Sequence, residues 1–206
     1  MDERVVSTRV LTVANILTFL RIGLIPVFAI LLVYDRPGLA LIVFTIAGVS
    51  DGVDGFIARR MKQESELGII IDPIADKLLM TTAFIMLTLE SVIGVDKPHL
   101  PVPFWVTACV IGRDIAILTI AGTINVMTGF RGFRPSGPGK ASTFVQVAAV
   151  ILIMVAVVFP VNNGLFLPTT YAIVAFFAVF SGIHYIFQVA SLMREEDEQK
   201  KREKAE

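Results

Sequence analysis

Cysteine is almost missing from this 206-residue chain: Cys109 stands alone, so no disulfide can form within it. In its apolar run the thiol reads as a small packing residue, and it says nothing about redox compartment. Histidine is nearly as scarce, with only His99 and His184, which leaves too few soft ligands for a zinc site of the Cys/His type. Charge is thin at 17% and has no net sign, and eleven of the thirty-six charged residues crowd into Arg194–Glu206 (REEDEQKKREKAE). Such neutrality identifies no partner, and no nucleic-acid partner is expected. The first apolar run, after Arg4 and Arg9, has no small-residue cleavage site, so it reads as a retained span and not as a removed signal. Neither an internal repeat nor a second domain is visible.

What the chain does have is oil. Hydrophobic residues make up 55% and the mean hydropathy is +0.75, values that a soluble domain of this length rarely reaches. A bilayer core needs about 20 mostly apolar residues per helix, and six such stretches occur near 12–34, 38–58, 73–94, 103–128, 141–160 and 168–192. Between them lie turn-forming segments: DRPG, RRMKQESELG, GVDKPHLPVP, GFRGFRPSGPGK and PVNNGLFLP. The expected fold is therefore all-α, an integral membrane bundle of six transmembrane helices. Residues 1–193 form the membrane domain, and 194–206 form a charged tail that extends the last helix or ends disordered.

Lys and Arg set the orientation, because cytoplasmic loops carry the excess. One side has Arg4, Arg9, Arg59, Arg60, Lys62, Arg131, Arg134, Lys140 and the basic residues of the tail; the other has Arg36 and Lys97. Both termini are thus expected in the cytoplasm.

Against this background one segment is out of place. SDGVDGFIARRMKQESELGIIIDPIADK, residues 50–77, puts Asp51, Asp54, Asp72 and Asp76 at the cytoplasmic ends of the second and third spans. Positions three and four apart share a helix face, so Asp51 pairs with Asp54 and Asp72 with Asp76. Carboxylates at membrane depth need a partner, and the nearby cations Arg59, Arg60, Lys62 and Lys77 are too few on the inner face. Divalent ions fit better, and an oxygen-only donor set suits Mg²⁺ or Mn²⁺. Singly, the aspartates have plainer readings: Asp72 before Pro73 looks like a helix N-cap, and Asp51 could end a span. Gly48, Gly52, Gly55 and Ala58 could serve close helix packing, access of a flat ligand, or both.

The spacing Asp51-x₂-Asp54-Gly55-x₂-Ala58-Arg59-x₈-Gly68-x₃-Asp72-x₃-Asp76 resembles, at all eight positions, the signature of the CDP-alcohol phosphatidyltransferase family. NILTFLRI (15–22) is similar to the first-helix start of its phosphatidylglycerophosphate and cardiolipin synthases. The resemblance implies that Asp51, Asp54 and Asp72 hold two metal ions, and that Asp76 approaches one of them and acts as general base. It implies nucleotide-facing positions at Gly55, Ala58, Arg59 and Gly68, further contacts to the CDP-lipid from Ser65 and from Asn15 to Thr18, and a homodimer. The implied reaction moves a phosphatidyl group from CDP-diacylglycerol to an alcohol, in a bacterial-type inner or plasma membrane with the site facing the cytoplasm.

The chemistry of the residues agrees. A guanidinium at Arg59 can meet a diphosphate in a forked geometry closed to Lys, and a carboxylate such as Asp76 can take the proton of an attacking hydroxyl. A phosphorylated acceptor calls for cations, offered by Arg113, Arg131, Arg134 and Lys140; the loop residues also fit the positive-inside bias. Arg113, several turns into a span, needs an internal partner, and Asp114, about 100° around the helix, is expected to be a poor one. Glycerol 3-phosphate is the expected acceptor. GRDIAIL (112–118) and RPSGPGKASTFVQ (134–146) depart from the synthase pattern, which has Arg-Glu at 113–114, and look like cardiolipin synthases, whose acceptor is phosphatidylglycerol. A divalent-cation transporter or a prenyltransferase are readings of another class, but acids clustered at one face favour an enzyme over a transport path. His184 and Tyr185 read as packing residues, and Trp105 as an interfacial anchor.

Overall fold

A computed structural model describes residues 13–61, 66–89, 102–128, 137–159 and 164–203. Six helices follow one another: α1 (Val13–Val33), α2 (Pro37–Met61), α3 (Glu66–Thr88), α4 (Phe104–Thr128), α5 (Gly137–Val158) and α6 (Phe166–Glu203). No strand occurs among the described residues. The breaks fall where the turn formers stand. Asp35 ends α1 at a φ of 54°; its N–H bonds the Leu32 carbonyl at 3.1 Å while the Arg36 N–H reaches back to Leu31 at 2.8 Å. That is a Schellman cap in which aspartate takes the left-handed position usually held by glycine, and Pro37 then opens α2 with its φ preset.

Among the described residues, four stretches are long and apolar enough to cross a membrane: Asn15–Val33, Phe104–Ile124, Gly137–Val158 and Phe166–Arg194. The other two helices are where the expected six spans meet the charge. α2 runs 25 residues from Pro37 to Met61 and has Asp51 and Asp54 in its second half, after the apolar stretch Pro37–Ser50, and α3 carries Asp72, Asp76 and Lys77. Outward faces of the apolar helices show Phe104, Val126, Phe144, Phe176 and Phe187 to the surroundings, as expected when the solvent is lipid and not water. At 38 residues α6 is about 57 Å long at 1.5 Å per residue. It outruns a bilayer core and continues as helix through the charged tail to Glu203.

One expectation at Asp72 is corrected. Asp72–Pro73 does not start a helix: α3 begins at Glu66, and Pro73 lies inside it. Asp72 therefore belongs to the second turn, on the same helix as Asp76 and one turn before it.

The chain divides into two compact units. In the first, α1 packs against α2 and α3, with α5 from Val147 onward in the same unit. Its core holds Phe28, Phe44, Ala47, Leu79, Ala83, Phe84 and Leu87, with the Phe28 and Phe44 rings 5.6 Å apart. A methyl added at Gly48 would only touch Val147 Cγ1 at 4.0 Å, so close packing does not require that glycine. The second unit comprises α4, α5 up to Gln146, and α6 from Pro168. Val106, Val110, Val174, Ala178, Ser181, Tyr185 and Val189 are buried, Tyr185 thus packing as expected, while His184 beside it is exposed with its ring 6.4 Å from Phe180. Trp105 is half exposed near the start of α4.

Candidate functional site

In the first unit, the buried stripe of α3 runs on into two carboxylates, and the helical register of α2 reaches two more aspartates. On α3 the buried positions Ala75, Leu79, Met80, Ala83, Phe84 and Leu87 recur at three- and four-residue steps, and Asp72 and Asp76 continue that stripe toward the N-terminus, both partly buried. On α2 the buried positions are Ala40, Phe44 and Ala47; the same steps lead along the helix to Asp51, Asp54 and Ala58. The apolar half of each stripe packs against α1, and the acidic half follows in register.

From α1 comes a polar stripe. Asn15, Thr18 and Arg21, spaced by three, are each 1% exposed. The Thr18 hydroxyl donates to Asp72 Oδ1, which joins the first-helix segment to the second half of the aspartate signature. Arg21 Nε donates to the carbonyl of Ala47 at 3.3 Å, one turn before Asp51 on α2. Sequence reasoning passed over Arg21, although it belongs to NILTFLRI. The signal was there: a charge in an apolar helix, three positions from Thr18 and so on its face.

Hard oxygen donors at i and i+4, one of them oriented by a hydroxyl, are the chemistry that Mg²⁺ or Mn²⁺ takes, so the described part of the donor set fits such ions. Asp51 and Asp54 lie within α2, and their side chains fall outside the described residues, as does that of Arg59; Gly55 and Ala58 belong to the same helical stretch. Gly68 sits in the first turn of α3, and Ser65 lies outside the described residues.

The second unit holds the buried arginine. Arg113 Nη1 donates to Asp114 Oδ1 at 2.6 Å, with the two side chains 8% and 10% exposed. This corrects the expectation for Asp114: a long arginine folds back across the 100° between neighbours, and burial makes the pairing obligatory. Arg113 Nε donates to Ser181 Oγ on α6 at 3.0 Å. Ser142 and Gln146 on α5 are also buried, with Gln146 Nε2 donating to Ser142 Oγ at 3.3 Å. Gln188 Oε1 on α6 is buried with no hydrogen-bond partner among the described residues. Of the loop cations, Arg131 and Arg134 lie outside the described residues, and Lys140 stands exposed in the first turn of α5.

Comparison with known proteins follows the same lines. The family model for CDP-alcohol phosphatidyltransferase matches residues 11–192. The chain is 32% identical over 190 residues to the cardiolipin synthase (CMP-forming) of Homo sapiens, covering 84% of this chain and 60% of that protein. It is 32% identical over 161 residues to the enzyme of the same name in Streptomyces coelicolor, covering 75% and 70%. To a probable phosphatidylglycerophosphate synthase of Mycobacterium tuberculosis it is 31% identical over 185 residues, covering 86% and 81%. The chain thus spans about 60% of the length of the human relative. With the signature complete, its second half tied to α1, and the family match running from the first helix to the last, this membrane protein belongs to the CDP-alcohol phosphatidyltransferase family.

Proposed function

We propose that the protein transfers the phosphatidyl group of CDP-diacylglycerol to a glycerol-type alcohol and releases CMP, a step of phospholipid biosynthesis. The observation that carries this reading is the hydrogen bond from Thr18 to Asp72, which ties the expected CDP-lipid segment of α1 to the acidic end of α3. The acceptor hydroxyl attacks the phosphorus bonded to diacylglycerol, the bond from that phosphorus to the CMP oxygen breaks, and CMP leaves with the electron pair. Asp76 takes the hydroxyl proton. Asp51, Asp54 and Asp72, with Asp76 beside them, would hold two Mg²⁺ or Mn²⁺ ions, which when bound supply charge neutralisation to the diphosphate and to the departing CMP. Arg59 pairs with the diphosphate, Gly55, Ala58 and Gly68 leave room for the nucleotide, and Asn15 and Ser65 contact the CDP-lipid. The Lys and Arg asymmetry supports a cytoplasmic site and cytoplasmic termini.

Arg113, with Arg131, Arg134 and Lys140, recognises the phosphoryl group of the acceptor, which is glycerol 3-phosphate in the first reading. A second reading, phosphatidylglycerol, is favoured by Arg113-Asp114 in place of Arg-Glu and by the names of the human and Streptomyces relatives. Both acceptors present a glycerol hydroxyl with a phosphoryl group on the same glycerol. Purified protein given CDP-diacylglycerol and Mn²⁺, with glycerol 3-phosphate, phosphatidylglycerol or inositol phosphate in separate reactions, tests the proposal. CMP release that depends on one of the glycerol acceptors supports it and selects between them; release with inositol phosphate alone, or with none, refutes it.

A further inference from the structure

Arg113 lies at the tenth position of α4 and is more than nine-tenths buried, as is Asp114 within one-tenth. Ser181, on α6, is fully buried. A hydroxyl has a single proton, and Ser181 Oγ gives it to the carbonyl of Ala178 at 3.1 Å. Its oxygen is thereby left as an acceptor, and it takes the Nε–H of Arg113 at 3.0 Å. The second anchor, Asp114 Oδ1, takes one N–H of Nη1 at 2.6 Å. Beside Ser181, the arginine stem passes Gly182 of α6 at ordinary contact distance: a Cβ built there would stand 3.5 Å from Arg113 Cγ.

A guanidinium is planar and carries five N–H donors. Asp114 balances its charge at membrane depth, but a single ion pair from the neighbouring residue leaves the plane free to swing. Ser181, neutral and on a different helix, pins the Nε edge without consuming charge. Among the described residues two donors are then committed and the plane is set, while three N–H groups remain for an oxyanion.

We infer that Ser181 is a positioning residue for acceptor recognition: it holds the Arg113 guanidinium in the orientation in which its remaining donors meet the phosphoryl group of the acceptor alcohol, with Asp114 as the second anchor. This rests on the acceptor role proposed above for Arg113.

The test uses the full chain purified in detergent, with CDP-diacylglycerol, Mn²⁺ and the acceptor that the parent protein uses. Ser181→Ala is expected to raise the apparent KM for acceptor about tenfold, the size of one lost hydrogen bond to a charged group, while kcat and the KM for CDP-diacylglycerol stay within about twofold. Ser181→Thr, which keeps the hydroxyl, is expected to return the acceptor KM toward the parent value. An Ala variant with unchanged acceptor KM, or with both KM values raised together and a lower Tm, overturns the inference. A parent protein that turns over neither glycerol acceptor overturns the proposed function, and the Tm shift produced by glycerol 3-phosphate then decides Ser181 alone. A shift present in the parent and lost in Ser181→Ala supports the positioning role; no shift in the parent, or equal shifts in both, overturns it.

Discussion

Thr18 on α1 donates its hydroxyl proton to the carboxylate of Asp72 on α3, across 54 positions of sequence. Thr18 is buried on the helix that packs against both aspartate-bearing helices. Its bond engages Oδ1 of Asp72 and so restrains the carboxylate's rotation. Replacing Thr18 by Val keeps the shape and removes the donor. CMP release is expected to fall about tenfold, the scale of one hydrogen bond to a charged group, while Thr18→Ser keeps most of the rate. A Val variant within about twofold of the parent would show that Asp72 is oriented by other contacts.

The aspartates themselves carry a larger effect. Asp51→Asn or Asp54→Asn removes a hard anionic ligand with almost no change in size, and CMP release is expected to drop on the order of a hundredfold or more, as for loss of an electrostatic stabiliser in phosphoryl chemistry. The protein should remain folded in detergent, read by its elution profile and Tm. EDTA should abolish turnover, with recovery on added Mn²⁺ or Mg²⁺; turnover that survives chelation would end the metal assignment.

Arg21 offers a separate handle on the same unit. Its Nε bond to the Ala47 carbonyl joins α1 to α2 one turn before Asp51. Arg21→Met is expected to lower CMP release about tenfold. Arg21→Lys should rescue little of it, because an ammonium cannot reproduce the planar Nε donor. Full activity in the Lys variant would mean that charge at this position matters and the bond geometry does not.

Topology can be read by labelling. In a Cys109→Ala background, a cysteine placed at Asn163 is expected to react with an impermeant thiol reagent from outside intact cells, and one placed at Gln63 to be protected, following the excess of Lys and Arg on the Gln63 side. The reverse pattern would put the aspartates on the outer face and contradict a cytoplasmic site.

Much of the fold could be read before any coordinates. An apolar run of about 20 residues bounded by Pro and Gly has few other stable forms in a bilayer, where every backbone polar group must be satisfied within the segment. The six expected stretches accordingly became six helices, most starts moving by four residues or fewer and the last helix running on into the charged tail. The largest shift of a helix start came at α3, which starts at Glu66 and carries Pro73 inside it. A proline near a helix start is compatible with either boundary, and the local sequence holds no preference strong enough to choose. The number of membrane crossings is less direct, because α2 and α3 mix apolar stretches with the charges of the site.

What the sequence by itself determined is whatever depends on short spacing: the helices, the shared faces of Asp51 with Asp54 and of Asp72 with Asp76, and the eight-position signature that marks the family. These follow from 3.6 residues per turn, a property of the local backbone. Tertiary structure alone decided the partners of buried polar groups: Thr18 with Asp72, Arg21 with the Ala47 carbonyl, and Arg113 with both Asp114 and Ser181. The physical reason is that a buried donor must find an acceptor wherever packing supplies one. That acceptor can lie 68 positions away, as Ser181 does from Arg113, or on the adjacent residue, as Asp114 does once a long side chain folds back under burial.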